Sequence, residues 1–165
     1  MATTDRDLFR LAERVGRRLL ARRRRVTTAE SCTGGWIAKA LTDVPGSSGW
    51  FDEGFVTYGN EAKTRRLDVA PALLASDGAV SEAVAIAMAR GALMRAGADV
   101  AVAVTGIAGP GGAVPGKPVG TVWICWAARR RGRIHIVTRC TRFRGDRDTV
   151  RRKTVEAALR GLLRD

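Results

Sequence analysis

A serine stands at a predicted strand-to-helix turn near the N-terminus. The β-branched run Val26–Thr28 predicts a strand, and the apolar spacing after Gly35 predicts a helix. Ser31 lies between the two, where the free N–H groups of a helix's first turn can stabilise negative charge. The turn suits a serine nucleophile or a phosphate site, and it equally suits the simpler role of Ser31 or Thr33 as a helix cap.

Lys63 is the candidate for the base that would activate this serine. The chain has only four lysines among its 29 basic residues, and this one follows a predicted strand. An ammonium can lose its proton when it is desolvated, whereas a guanidinium cannot. The single histidine, His135, alternates with isoleucines on a predicted strand and has no acid near it in sequence, which disfavours a Ser-His-Asp triad. Lys63 could also be an ordinary exposed lysine on a helix.

Two further polar side chains stand at the ends of predicted elements. Tyr58, the only tyrosine, ends a predicted strand, where its hydroxyl could reach a ligand or cap a core contact. Arg147 follows the predicted cap Asp146 in the first turn of the last helix, where a cation opposes the helix dipole. A bound anion would compensate for this charge, so Arg147 is a candidate phosphate contact. The neighbouring Asp146 and Asp148 could neutralise it instead.

A glycine-rich segment follows the most apolar predicted strand, Val100–Val104. A continuous apolar and β-branched run is typical of a central strand that is buried on both faces. The segment Thr105–Gly112 would place free backbone N–H groups at the carboxyl end of the sheet, where α/β folds bind ligands. It matches neither the Walker phosphate loop nor the Gly-x-Gly-x-x-Gly pattern, which disfavours a nucleotide cofactor.

The rest of the chain predicts the elements that position these residues. Helical spacing of apolar residues predicts helices at Asp7–Arg24, Trp36–Leu41, Gly59–Leu67, Glu82–Arg95 and Asp146–Leu163. Strands are predicted at Val26–Thr28, Gly54–Tyr58 and Val100–Val104, with a hairpin of Thr121–Ala128 and Arg133–Arg142 joined by the turn Arg129–Gly132. Turn-forming residues predict a loop at Thr42–Gly49 and a connection at Pro71–Gly78.

Length and composition limit the class of protein. A chain of 165 residues with 45% hydrophobic residues is long enough for one domain and short for two. No apolar run approaches the ~20 residues that a membrane span needs, and the charged N-terminus has no apolar signal core, so we expect a cytoplasmic protein without a membrane partner. The three cysteines have no CxxC spacing, which disfavours a disulfide framework or a zinc site.

The formal net charge of +13 raises the question of a nucleic-acid partner. The arginines are scattered over several predicted elements, and few aromatic residues lie among them to stack on bases. Nucleic-acid binding is therefore disfavoured. The positive field would still attract small phosphorylated or acidic substrates.

Four blocks of the sequence together resemble the C-terminal domain of the CinA family. They are Thr27–Gly35 (TTAESCTGG), Val56–Lys63 (VTYGNEAK), Thr105–Gly112 (TGIAGPGG) with Lys117–Val122 (KPVGTV), and Gly145–Arg151 (GDRDTVR). The chain is most similar to the stand-alone form of that domain, the nicotinamide-nucleotide amidases. The resemblance implies a single domain over residues 1–165 with a three-layer α/β/α fold around a mixed, largely parallel sheet. It also implies frequent homo-oligomers and no metal or cofactor.

The same resemblance implies a bacterial enzyme that hydrolyses the carboxamide of nicotinamide mononucleotide to nicotinate mononucleotide and ammonia, which recycles pyridine nucleotides. Combined with the residue chemistry, it makes Ser31 the nucleophile and Lys63 its base, with Tyr58 assisting proton transfer or placing the ring. The residues assigned to the oxyanion and the substrate are Thr33, Gly34, Thr105, Gly106 and Arg147, and those assigned to orienting the site are Glu30 and Asn60.

Two alternatives remain open at this point. Cys32 could be the nucleophile in place of its neighbour Ser31, which ammonia release by separate Ser31→Ala and Cys32→Ala variants would decide. The domain could instead be a catalytically silent module that binds nucleotide or nucleic acid. Nucleic-acid binding with a steep salt dependence, without ammonia release, would favour that alternative.

Overall fold

The computed structural model describes residues 3–164, and in this range five strands form one sheet. They are β1 (Val26–Glu30), β2 (Phe51–Val56), β3 (Val100–Gly106), β4 (Thr121–Arg130) and β5 (Arg133–Arg142). Their order is β2-β1-β3-β4-β5. β1 pairs in parallel with β2 and β3, whereas β4 pairs antiparallel with β3 and β5, so β4 alone runs against the other four strands.

Six α-helices in the described range cover both faces of the sheet. They are α1 (Asp5–Ala21), α2 (Trp36–Thr42), α3 (Asn60–Leu67), α4 (Pro71–Asp77), α5 (Glu82–Arg95) and α6 (Arg147–Leu162). None of them is long and apolar enough to cross a membrane. Because helices lie on both sides of a mixed sheet, the predicted three-layer α/β/α fold is confirmed.

The two faces of the sheet carry side chains of different size. The face under α1, α2 and α6 presents branched residues such as Val102, Val104 and Ile124. The face under α3, α4 and α5 presents mainly small ones, namely Ala29, Ala101, Ala103, Cys125 and Ala127. Successive residues of a strand point to opposite faces, so the alternation of valine and alanine in β3 predicts this division. Small side chains let α5 pack close to the centre of the sheet.

Several boundaries differ from the sequence-based expectations. Pro71–Asp77 is a helix rather than a plain connection, with Pro71 in its first turn, where proline's missing N–H costs nothing. β2 begins at Phe51 instead of Gly54 and ends before Tyr58, because an exposed edge strand shows little alternation. The hairpin turn shrinks to Arg131 and Gly132, which both have positive φ.

The carboxyl ends of β1, β2 and β3 lie side by side at one edge of the sheet. In open α/β sheets this edge is where ligands bind. The four sequence blocks converge here, because three of them follow these strands and the fourth begins α6.

Candidate active site

Glu30 holds the turn between β1 and α2. Its fully buried carboxylate accepts hydrogen bonds from the N–H groups of Ile37 (2.9 Å) and Ala38 (2.8 Å) and from the hydroxyl of Thr33 (2.6 Å). Burial raises the pKa of Glu30, and these hydrogen bonds oppose that effect. The carboxylate therefore supplies the orphan donors at the start of α2 with an acceptor.

Ser31 and Thr33 are not the caps of α2, so that interpretation is wrong. The residue at the N-cap is Gly35, whose φ of 95° requires glycine, and no side chain caps from that position. The Thr33 hydroxyl donates to Glu30 instead of accepting from the helix. Ser31 is consequently left with its hydroxyl available for another partner.

Replacing Glu30 with alanine is expected to lower the free energy of unfolding by about 2–3 kcal/mol, because it leaves buried donors without an acceptor. Urea unfolding followed by far-UV circular dichroism measures this change. The matched control is Glu61→Ala, at an exposed position in the first turn of α3, which should change stability by less than about 0.5 kcal/mol. Equal stability of the two variants would contradict this role of Glu30.

Lys63 lies in hydrogen-bonding distance of Ser31. Its Nζ is 3.1 Å from Ser31 Oγ, 2.9 Å from the carbonyl oxygen of Thr57 and 3.0 Å from that of Tyr58. A neutral amine has two N–H donors and one lone pair. In the neutral amine the two carbonyls can accept both N–H groups, and the lone pair is then free to accept the proton of the Ser31 hydroxyl, which also lies 3.4 Å from the carbonyl oxygen of Tyr58. The arrangement suits a lysine that accepts the serine proton.

The surroundings of Lys63 favour its neutral form. The side chain is completely buried, and this desolvation lowers its pKa. None of the salt bridges in the described part of the chain involves Lys63. Ser31 next to it keeps 8% of its surface exposed, which leaves a path to its hydroxyl.

Cys32 is poorly suited to replace Ser31 as nucleophile. It is 5% exposed, and burial raises the pKa of its thiol to about 12. The thiolate is the nucleophilic form of cysteine, and at neutral pH such a thiol stays protonated. The geometry therefore favours the hydroxyl of Ser31.

Two of the residues predicted to bind the oxyanion have other partners in the structure. The N–H of Gly34 donates to the carbonyl of Ser31 at 3.1 Å, and the hydroxyl of Thr105 donates to the carbonyl of Ala79 at 2.7 Å. Gly106 extends β3, and a side chain there would collide with Val122 of β4. Cys32 and Thr33 follow Ser31 directly, and within residues 3–164 their backbone N–H groups donate no hydrogen bond to another residue. These two groups are the better candidates for oxyanion donors.

Arg147 and Tyr58 meet at the rim of the site. One terminal nitrogen of Arg147 donates to the Tyr58 hydroxyl at 2.8 Å, and the other donates to the carbonyl of Gly109 at 2.7 Å. Tyr58 is 58% exposed, and it is its carbonyl rather than its hydroxyl that contacts Lys63. Asp146 caps α6 as predicted, by accepting from Thr149 N. The predicted part of Tyr58 in proton transfer thus has no contact to support it.

Asn60 lies apart from the dyad. It is the exposed first residue of α3 and lines a shallow cavity of about 560 Å³ between α3 and α4. In the described range its side chain makes no hydrogen bond with Ser31 or Lys63. The expectation that Asn60 orients these groups is therefore not supported by any contact.

Arg151 reaches the turn from α6, and the sequence reasoning did not assign it a role. Its Nε donates to the carbonyl of Cys32 at 3.1 Å and its Nη2 to that of Thr33 at 3.0 Å. One sequence feature could have indicated a role for Arg151. It lies four residues after Arg147, on the same face of α6, within a block that carries the family resemblance.

A separate cavity of about 710 Å³ lies between α6 and the face of β4 and β5 that α6 covers, where Trp126, Val137 and Gly161 are among its lining residues. Neither Ser31 nor Lys63 lines it. No group of three or more histidine, cysteine, aspartate or glutamate side chains that could hold a metal ion occurs in residues 3–164.

Comparisons with known proteins show which family and fold the chain resembles. The family model of the CinA C-terminal domain matches residues 8–165. The chain is 55% identical over 160 residues to the nicotinamide-nucleotide amidohydrolase PncC of Escherichia coli strain K12, covering 96% of this chain and 94% of that protein. It is 54% identical over 153 residues to the protein of that name from Pseudomonas putida, with 93% of each covered.

Solved structures show the same fold. The competence damage-inducible protein A (ComA) from Klebsiella pneumoniae superposes with a TM-score of 0.90 at 44% identity, covering 96% of both chains. The competence/damage inducible protein CihA from Agrobacterium tumefaciens superposes with a TM-score of 0.89 at 44% identity, covering 99% of this chain and 97% of that one.

Proposed function

The chain belongs to the CinA C-terminal domain family, and we propose from this that it hydrolyses the carboxamide of nicotinamide mononucleotide to nicotinate mononucleotide and ammonia in the recycling of pyridine nucleotides. Relatives named for this reaction share 50–55% identity with it over nearly their whole length. The observation that carries the proposal is the buried Lys63 amine 3.1 Å from Ser31 Oγ, because a neutral amine beside a serine can activate it without histidine.

The first half of the proposed reaction forms an ester on Ser31. The Ser31 oxygen attacks the amide carbon while Lys63 Nζ takes the hydroxyl proton, and the carbonyls of Thr57 and Tyr58 hold the amine in place. The tetrahedral oxyanion is stabilised by the N–H groups of Cys32 and Thr33. The C–N bond then breaks, and the Lys63 ammonium returns its proton to the leaving nitrogen, which departs as ammonia.

The second half hydrolyses that ester. A water molecule attacks the acyl carbon, and neutral Lys63 takes one of its protons. When the second tetrahedral intermediate collapses, the C–O bond to Ser31 breaks and Lys63 gives the proton to the serine oxygen. Nicotinate mononucleotide leaves and the starting state of the dyad is restored.

Arg147 is proposed to bind the phosphate of the substrate. A guanidinium has five N–H donors, and only some of them are used on Tyr58 and Gly109. The others remain for phosphate oxygens at the exposed rim of the site. The exposed ring of Tyr58, held by the same guanidinium, is placed to contact the pyridine ring.

Ammonia release from nicotinamide mononucleotide, its riboside and free nicotinamide tests this assignment. The nucleotide should be the preferred substrate, and Arg147→Ala should raise KM for it by about 30-fold, the value of one charge-assisted contact, with a smaller effect on the riboside, for which only the hold on Tyr58 is lost. Arg144→Ala removes one exposed arginine nearby and is the matched control for net charge. An equal loss with nucleotide and riboside would contradict the phosphate contact.

The rival function makes the opposite prediction. A catalytically silent binding module would release no ammonia from any of these amides. If the protein also bound nucleic acid with a steep salt dependence, the amidase proposal would be refuted.

A further inference from the structure

We propose that Arg151 is a positioning residue for one of the oxyanion donors, the N–H of Thr33, and acts through two carbonyl groups of residues 31–35, here called the nucleophile turn. The inference rests on the proposed role of Ser31 as nucleophile. It goes beyond that role because it assigns the orientation of the Thr33 donor to a side chain on another element, α6, more than 100 residues along the chain.

The contacts of Arg151 hold two adjacent carbonyls at once. Nε binds the carbonyl of Cys32 at 3.1 Å and Nη2 binds that of Thr33 at 3.0 Å. The guanidinium carbon also lies 5.4 Å from the centre of the Trp36 ring, at the start of α2. The Arg151 side chain is partly buried, so packing as well as hydrogen bonds holds its guanidinium against the nucleophile turn.

The planarity of the peptide bond transmits these contacts to the N–H groups. In a trans peptide the C=O and the following N–H point in opposite directions. The carbonyl of Cys32 and the N–H of Thr33 belong to one such plane, so anchoring the oxygen on Arg151 fixes the direction of that N–H. The next plane is anchored at both ends, by Arg151 at the Thr33 carbonyl and by the Ser31 carbonyl at the Gly34 N–H.

The peptide plane between Cys32 and Thr33 carries a donor, the Thr33 N–H, that has no acceptor. Thr33 is fully buried, and in the part of the chain that the structure describes nothing accepts its N–H. Buried backbone donors are nearly always paired in native proteins, so an unpaired one beside a nucleophile indicates a group that meets its acceptor during the reaction. The tetrahedral oxyanion on the Ser31 adduct is such an acceptor.

The charge of Arg151 acts in the same direction. A cation bound to a carbonyl oxygen polarises the peptide group and makes its N–H a stronger donor. The guanidinium is in place before the reaction, so no reorganisation is needed when negative charge develops. Lysine would carry the charge without the planar fork that spans two carbonyls.

The test compares Arg151→Met with the neighbouring Arg152→Met. Arg152 stacks on the same Trp36 ring, at 4.7 Å, but pairs with Asp5 and Asp148 instead of the nucleophile turn. Arg151→Met should lower kcat for nicotinamide mononucleotide by about 30-fold and change KM less than threefold. The expected loss in kcat is smaller than the roughly 100-fold or greater loss that follows removal of an oxyanion donor itself. Arg152→Met should leave kcat within about threefold of the wild type.

A second variant and the pH profile separate positioning from a structural role. Arg151→Lys should recover only part of kcat, because one ammonium cannot bind both carbonyls in the fork geometry. In Arg151→Met and Arg151→Lys, kcat/KM should level off at the same pH as in the wild type, because neither change alters Lys63. Arg151→Met with kcat within threefold of the wild type, or with a raised KM and retained kcat, would overturn the proposal.

Labelling with a fluorophosphonate distinguishes failure of this inference from failure of the proposed function. The phosphoryl oxygen of the serine adduct occupies the oxyanion position whatever the natural substrate is. Slower labelling of Ser31 in Arg151→Met, with an unchanged rate in Arg152→Met, supports the inference even if no ammonia is released from the nucleotide. Equal labelling rates overturn it, and absence of labelling in the wild type overturns both proposals.

Discussion

Replacing Ser31 with alanine is expected to lower ammonia release from nicotinamide mononucleotide by roughly 10⁴- to 10⁶-fold, the range found when a catalytic serine is removed elsewhere. The physical reason is that no other group in contact with Lys63 can form the ester. The hydroxyl of Ser31 is the only side-chain partner of the Lys63 amine among the hydrogen bonds of the described residues, the other two being carbonyls. Steady-state rates at saturating substrate measure the change.

The matched control is Cys32→Ala, one residue along the chain. Its thiol is buried and has a pKa of about 12, so its removal should change the rate by less than about threefold. Far-UV circular dichroism should show that both variants are folded. If Ser31→Ala kept its activity while Cys32→Ala lost it, the nucleophile would be the cysteine.

Replacing Lys63 with arginine is expected to lower kcat by roughly 10³- to 10⁴-fold, at the upper end of what a general base contributes. The variant keeps the positive charge but cannot supply a neutral amine, because a guanidinium does not lose its proton in a protein. Lys39→Arg is the matched control, since Lys39 is exposed and paired with Asp43. A Lys63→Arg variant with activity near that of Lys39→Arg would exclude the base role.

The pH profile of the wild-type enzyme follows from the same burial. Only the neutral amine accepts a proton, so kcat/KM should rise tenfold per pH unit below the pKa of Lys63 and level off above it. Burial lowers that pKa from its ordinary value of 10.5, so the plateau should begin below pH 10.5. A rate that falls as pH rises through this range would contradict a lysine base.

Local patterns in the sequence were enough for most of the fold. α5 lies at Glu82–Arg95 as predicted, because its apolar spacing is regular and Ser81 caps it. β5 also has its predicted bounds, since alternation is strong along a strand with one covered face. α4 was missed because its seven residues bury no side chain fully, so it shows little apolar periodicity.

The candidate site was predictable only where residue type and local pattern point to a residue's chemistry. Ser31 and Lys63 could be proposed from residue type and position, and the structure places them in contact. Whether a residue contributes its backbone or its side chain is decided by packing, which is why the carbonyl rather than the hydroxyl of Tyr58 touches the lysine. Arg151 contacts carbonyls 118 and 119 residues away, and its spacing from Arg147 on α6 does not indicate which groups it would contact.

Trapping with hydroxylamine tests the central claim, an acyl-enzyme formed by Ser31 and Lys63, most directly. The wild-type protein is given nicotinamide mononucleotide or its methyl ester analogue, and the hydroxamate and nicotinate products are quantified, with Ser31→Ala as the blank. A shared acyl-enzyme predicts the same ratio of hydroxamate to nicotinate from both substrates, because both ratios are set after the leaving group has gone. Ratios that depend on the leaving group, or ammonia release without any hydroxamate, would contradict the account.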